Sequence, residues 1–125
     1  MLKREDIIGV VDIPREEISV PEWGGSVMVY GLNGTERDAF EISIAGNGRV
    51  ELANLRARLC AISIRDETGD RIFNDKDCEL LGKKSAQALQ RVFEVAQRLS
   101  GLTAGDVDAL SKNSKSAPKG ASGSG

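Results

Sequence analysis

The strongest constraint on this chain is a sixteen-residue stretch, Ser85 to Ser100, in which Ala88, Leu89, Val92, Phe93, Ala96 and Leu99 recur at spacings of three and four. At 3.6 residues per turn this gathers the large apolar side chains onto one stripe. The spacing predicts an amphipathic helix, and Gly101 stands where a C-cap glycine belongs. Such a stripe has to be buried against another layer, and the rest of the chain must supply it.

The first candidate layer lies near the start. Ile18 and Val20, then Val27 and Val29, alternate with other residues around Pro21-Glu-Trp-Gly-Gly25, which reads as a β-hairpin. Ahead of it, Lys3 to Val11 predicts a short helix stopped by Pro14. After it, Gly31-Leu-Asn-Gly34 is a turn, with Thr35 as the expected N-cap of a helix over 36–44 that closes at Gly46-Asn-Gly48. Leu52, Leu55, Leu59 and Ile62 predict a second amphipathic helix. Asp66 to Asp70 reads as a turn and Ile72-Phe73 as an apolar anchor. Asn74 or Asp75 caps a short helix through Leu81, ended by Gly82. A last short helix is expected from Thr103 to about Leu110, capped by Thr103 with Asp106 in its first turn.

These elements predict an α+β fold, mostly helical, with the N-terminal β-hairpin packed on a small bundle of amphipathic helices. The chain has 125 residues, 40% of them hydrophobic and 29% charged, enough for one self-sufficient core. Residues 1–111 form the expected single domain. Residues 112–125 reduce to Lys, Ser, Gly, Ala, Asn and one Pro, with nothing large to bury. Ordering each such residue costs about 1–2 kcal/mol of backbone entropy with no offsetting burial, so a disordered tail ending in a linker-like run is expected.

Composition narrows the chemistry. The chain has no histidine, which removes Ser-His-Asp and Cys-His catalysis, His-ligated zinc and imidazole pH switches. Net charge is −2, and Lys112, Lys115 and Lys119 all fall in the acid-free tail, so the folded part is more acidic than the total. That disfavours nucleic acid as a partner. Arg49, Arg56, Arg58 and Arg65 form no single stripe either, because Arg56 and Arg58 lie about 200° apart on a helical wheel. Asp66 to Asp77 has the length of a calcium loop, but glycine stands at its fourth position and aspartate at its twelfth, where an EF-hand requires glycine at six and glutamate at twelve. No glycine cluster matches a phosphate-binding loop. Cys60 reads as a small buried hydrophobe, and Cys78, between Asp77 and Glu79, as a thiol of raised pKa. Neither suits a nucleophile, and reduced thiols are expected. The opening Met1-Leu-Lys-Arg-Glu-Asp turns acidic at once and no apolar run approaches 18 residues, so the expectation is a cytoplasmic protein with no membrane partner. No enzyme, metal or cofactor is expected.

Four blocks in order carry more. Val20-Pro-Glu-Trp-Gly-Gly-Ser-Val-Met-Val-Tyr-Gly-Leu-Asn-Gly-Thr-Glu-Arg-Asp-Ala-Phe40 is followed by Leu55-Arg-Ala-Arg-Leu59, by Asp66-Glu-Thr-Gly-Asp-Arg-Ile-Phe73, and by Leu89-Gln-Arg-Val-Phe-Glu-Val-Ala-Gln-Arg-Leu-Ser-Gly-Leu102. Over about residues 3 to 113 this series resembles the tail assembly chaperone family of long-tailed bacteriophages and prophages. The resemblance implies a non-structural protein of the bacterial host cytoplasm, absent from the mature virion. Such a protein binds the tape measure protein, keeps its apolar helices soluble and helps recruit the tail tube protein, with no small-molecule substrate. Self-association fits that task. Trp23, Tyr30, Leu32 and Phe40 are the candidate partner-binding residues, since aromatic side chains in and after a hairpin make good anchors; packing against a helix is the structural alternative for the aromatics of the hairpin. A small structural head–tail connector is the competing reading, and a nucleic-acid-binding regulator the third.

Overall fold

The alternating apolar residues on either side of Pro21–Gly25 fold as the expected hairpin. In the computed structural model, which describes residues 1–45, 54–103 and 105–106, β1 (Arg15–Val20) pairs antiparallel with β2 (Gly25–Tyr30), running from Arg15 opposite Tyr30 to Val20 opposite Gly25. A 3-10 turn over Pro21–Trp23 joins them and closes at Gly24, whose φ of 79° is left-handed backbone that glycine adopts without steric cost. A third strand, β3 (Ile64–Arg65), pairs with Val29 and Met28 and completes a sheet of order β1-β2-β3. Two residues are too short to show alternation, so the sequence pattern runs into β3 as though the preceding helix continued.

The Ser85–Ser100 stripe becomes α5 (Ala86–Leu99), the central helix. It buries Ala88, Leu89, Val92, Phe93 and Ala96 and packs against α3 (Leu55–Ser63) and both hairpin strands. Its C-terminal end closes as predicted, and Ser85 caps its start. The Ser85 hydroxyl accepts the Ala88 N–H at 3.2 Å. Gly101 (φ 73°) donates to the Arg98 carbonyl at 3.2 Å and Leu102 to that of Gln97 at 2.9 Å, the paired bonds of a Schellman cap. Leu102 is itself buried against the core.

Alternation in β1 puts Glu16, Ile18 and Val20 on the face turned to α5. Arg91 and Arg98, two helical turns apart, meet the hairpin at both ends. Arg91 donates to both Glu22 carboxylate oxygens, at 2.5 and 2.9 Å, and Arg98 to Glu16 at 2.8 Å.

Elsewhere the structure refines the expectations. α2 (Gly34–Ala45) is capped by Asn33 rather than Thr35: Asn33 Oδ1 accepts the Glu36 N–H at 2.8 Å, and Glu36 Oε1 accepts the Asn33 N–H at 2.9 Å. Asn33 precedes Glu36 by three residues, the spacing a reciprocal cap requires, whereas Thr35 already lies within the helix. α3 buries Ala57, Leu59, Cys60, Ala61 and Ser63, which makes it a core helix more than a surface one. A 3-10 turn over Asp75–Asp77, capped by Asn74, leads into α4 (Cys78–Leu81). The glycine after it, Gly82, has right-handed backbone; a Cβ there would collide with the Asn54 side chain, so close approach explains it. Thr103 and Asp106 cap each other as predicted. Leu52, the Gly46-Asn-Gly48 close, residues 107–110 and the expected tail 112–125 lie outside the described residues. The short helix α1 (Arg4–Gly9) forms as expected and buries nothing.

The core between sheet and helices centres on Val20, Val29, Phe40, Ile44, Leu59, Ile64 and Val92, all essentially inaccessible.

Candidate partner-binding groove

The tip of the hairpin meets the Ile72–Leu81 segment across an open groove of about 680 Å³. Trp23, from the 3-10 turn, forms one wall. Ile72 and Phe73 come from the anchor after the Asp66–Asp70 turn, and Leu80 and Leu81 from α4. The two leucines divide their work: Leu81 is 5% exposed and belongs to the core, while Leu80 is 63% exposed and Ile72 53%. The short α4 turns Leu81 inward and leaves Leu80 on the groove side.

Most polar groups in this groove are already engaged. Glu22 is held by Arg91, and this charge-assisted pair lowers its pKa from 4.5 to about 2. Asp77 accepts the Asn74 N–H at 2.9 Å, and Ser85 caps α5. Lys84 has no acidic partner among the described residues. The Trp23 indole N–H is sheltered from solvent and finds no acceptor among them, although buried donors of this kind are ordinarily paired. Among the described residues the groove therefore presents apolar walls and a cation without an acidic partner, with the sheltered indole N–H behind them.

The four candidate residues do not act together. Trp23 lines the groove and packs partly against the core. Tyr30 lies at the opposite end of β2 and is occupied internally: its hydroxyl accepts Arg15 Nη1 at 3.0 Å, and the Arg15 and Arg65 guanidiniums approach its ring at 5.9 and 5.7 Å. Arg65 is further held by Glu36 at 2.8 Å. Leu32 and Phe40 are corrected to core positions, 8% and 1% exposed, because the turn after β2 and the inward face of α2 must cover the sheet; neither presents surface to a partner. Sequence reading missed Leu80, Ile72 and Lys84 as groove residues.

A second cleft of about 460 Å³ lies on the other side of α4, where Arg58, Arg71 and Lys76 are interspersed with Glu36, Asp75 and Glu79. Cys78 opens onto it, its pKa raised first by burial and then by Asp75. Cys60 is buried and pushed up to about 12. Both thiols are free. Among the described residues no group of three His, Cys, Asp or Glu side chains could hold a metal ion, and no helix is long and apolar enough to cross a membrane.

Compared with protein-family models, with curated proteins and with solved structures, the chain matches none of them.

Proposed function

We propose that this protein is a non-structural chaperone of phage tail assembly that binds the tape measure protein, keeps its apolar helices dispersed and helps recruit tail tube subunits. The groove between Trp23 and Leu80 is the observation that supports this reading. Its charged and hydroxyl groups are spent on internal contacts, apart from Lys84, so it favours an apolar occupant over a polar metabolite. An amphipathic client helix laid into such a groove is a common recognition mode. Burying about 500 Å² of client apolar surface at ~25 cal/mol per Å² is worth on the order of 12 kcal/mol before association costs, which consume most of it. Weak sites repeated along one elongated client recover occupancy through multivalency.

The test is co-expression with the tape measure protein, scoring how much of the long protein stays in the supernatant. Wild type is expected to keep it soluble, and Leu80→Glu to lose most of that effect with its own fold intact. An equally effective Leu80→Glu variant removes the groove from the proposal. A wild-type chain that never retains the client in solution, or one found in stoichiometric amounts in purified virions, overturns the chaperone reading itself.

A further inference from the structure

β1 is an edge strand, since the sheet runs β1-β2-β3, and its ladder fixes which backbone groups face outward. The Gly31 N–H donates to the Pro14 carbonyl at 2.9 Å, one step beyond the Arg15–Tyr30 pair. In an antiparallel ladder such hydrogen-bonded pairs alternate with pairs whose N–H and C=O groups point away from each other. Pro14, Glu16, Ile18 and Val20 therefore bond toward β2, whereas Arg15, Glu17 and Ser19 turn their N–H and C=O groups to the open edge. Among the described residues no loop or helix meets that edge with a backbone hydrogen bond. An open edge of this kind is a template for another strand.

The side chains along the edge are charged in a definite order. Arg15, Glu17 and Ser19 are exposed on the outer face of the sheet. Glu17 has no cationic partner among the described residues. Arg15 spends one donor on the Tyr30 hydroxyl and keeps the rest of its guanidinium fork. We propose that two copies of this chain join β1 to β1 antiparallel, about a two-fold axis at Glu16, and so build one continuous six-stranded sheet.

Charge selects both the alignment and the occupant. Outward-facing residues must oppose outward-facing residues, so the axis has to pass through a residue position. An axis at Arg15 sets Arg15 against itself, and one at Glu17 sets Glu17 against itself. An axis at Ile18 puts Arg15 opposite Pro21, which has no N–H to give. The axis at Glu16 places Arg15 opposite Glu17 of the second copy and, by symmetry, Glu17 opposite its Arg15. Opposite charges facing across strands favour pairing, and like charges oppose it. In the same phase Ser19 meets Ile13, whose place before a proline favours extended backbone, and the exposed Val11 comes beside Pro21. Glu16 meets its counterpart at the axis, where each is held by Arg98 of its own copy at 2.8 Å. One symmetry operation thus satisfies both charges, the self-complementarity that an isologous contact requires. The proposal goes beyond the chaperone reading and stands apart from the identity of any client.

The experiment uses the full chain alone, by sedimentation equilibrium between roughly 1 and 100 μM. Wild type is expected to pass from monomer to dimer across that range. Arg15→Glu and Glu17→Arg, each at an exposed position, set like charges face to face twice; each is expected to weaken dimerisation by about tenfold or more, with an unchanged circular dichroism spectrum. An equimolar mixture of the two single variants is expected to regain wild-type association, because the unlike strands then carry opposite charges at both pairs. The double variant Arg15→Glu/Glu17→Arg is expected to regain it alone. Recovery with the same substitutions present separates a charge-matched edge from damage to the fold. A wild type that stays monomeric, a single variant that associates like wild type, or a mixture or double variant as weak as the single variants overturns the proposal.

Discussion

Replacing Gly31 by alanine tests how tightly the hairpin is seated on the end of α5. Gly31 is buried where β2 ends, and a Cβ built there lies 2.9 Å from the Leu99 carbonyl carbon, closer still to its oxygen, and 3.4 Å from Pro14 Cδ. The obstructing atoms are backbone in the last turn of a capped helix, so they cannot move aside as a flexible side chain would. Relieving the clash means separating the strand from the helix end, where the Leu32 N–H donates to Ser100 Oγ at 3.0 Å. Overpacking of this kind costs about 1–3 kcal/mol, and loss of the hydrogen bond about 0.5–1.5 kcal/mol more. A destabilisation of about 2 kcal/mol lowers Tm by roughly 6–10 °C in a domain of this size. Gly25→Ala is the control, because nothing lies within 4 Å of a Cβ at that position; it should stay within about 1 kcal/mol of wild type. Differential scanning calorimetry reads both variants. A Gly31→Ala protein melting within about 2 °C of wild type would refute the argument, since it would mean that the strand and helix end separate at almost no cost.

Asn33→Ala removes half of the reciprocal cap on α2 and should cost about 0.5–2 kcal/mol in urea denaturation, whereas Thr35→Ala should be nearly silent. The Glu22 carboxylate is lowered from 4.5 to about 2 by Arg91, so its contribution to stability is complete above pH 4.5 and is lost as pH falls toward 2; Glu22→Gln should flatten that part of the stability profile, as measured by melts across the acid range. Thiol titration at pH 8 should label Cys78 slowly and Cys60 only after denaturant is added, because burial raises the Cys60 pKa to about 12. Rapid labelling of two thiols in the native protein would contradict the burial of Cys60.

The hairpin and α5 were legible because their signals are local and redundant. Alternation, a turn rich in glycine, an unbroken stripe and a C-cap glycine all agree. The α2 cap was misplaced by two residues because two capping residues lie close together, and only the reciprocal bond to Glu36 selects between them. β3 could not be read: Ile64 and Arg65 acquire strand geometry from β2, a partner far away in sequence. The groove was half visible. Trp23 stands out in any reading, but Leu80 and Ile72 look like ordinary core residues until the fold shows that one face of α4 and the Ile72–Phe73 bend are already filled by Leu81 and Phe73. Leu32 and Phe40 were misjudged for the converse reason, since an apolar residue beside a turn looks available until the sheet it covers is known.

The paired contacts from Arg91 and Arg98 to Glu22 and Glu16 also act on alignment. Sliding β1 by a single position would turn Glu16 away from the helix, bring Glu17 inward at the wrong height, and expose Ile18 and Val20 to water in the same step. Polar and apolar penalties thus fall on every wrong alignment together, so the seam admits only one setting. The indole at the hairpin tip is consequently presented at a fixed height, and lengthening the strands by one residue should misplace it even in a chain that still folds.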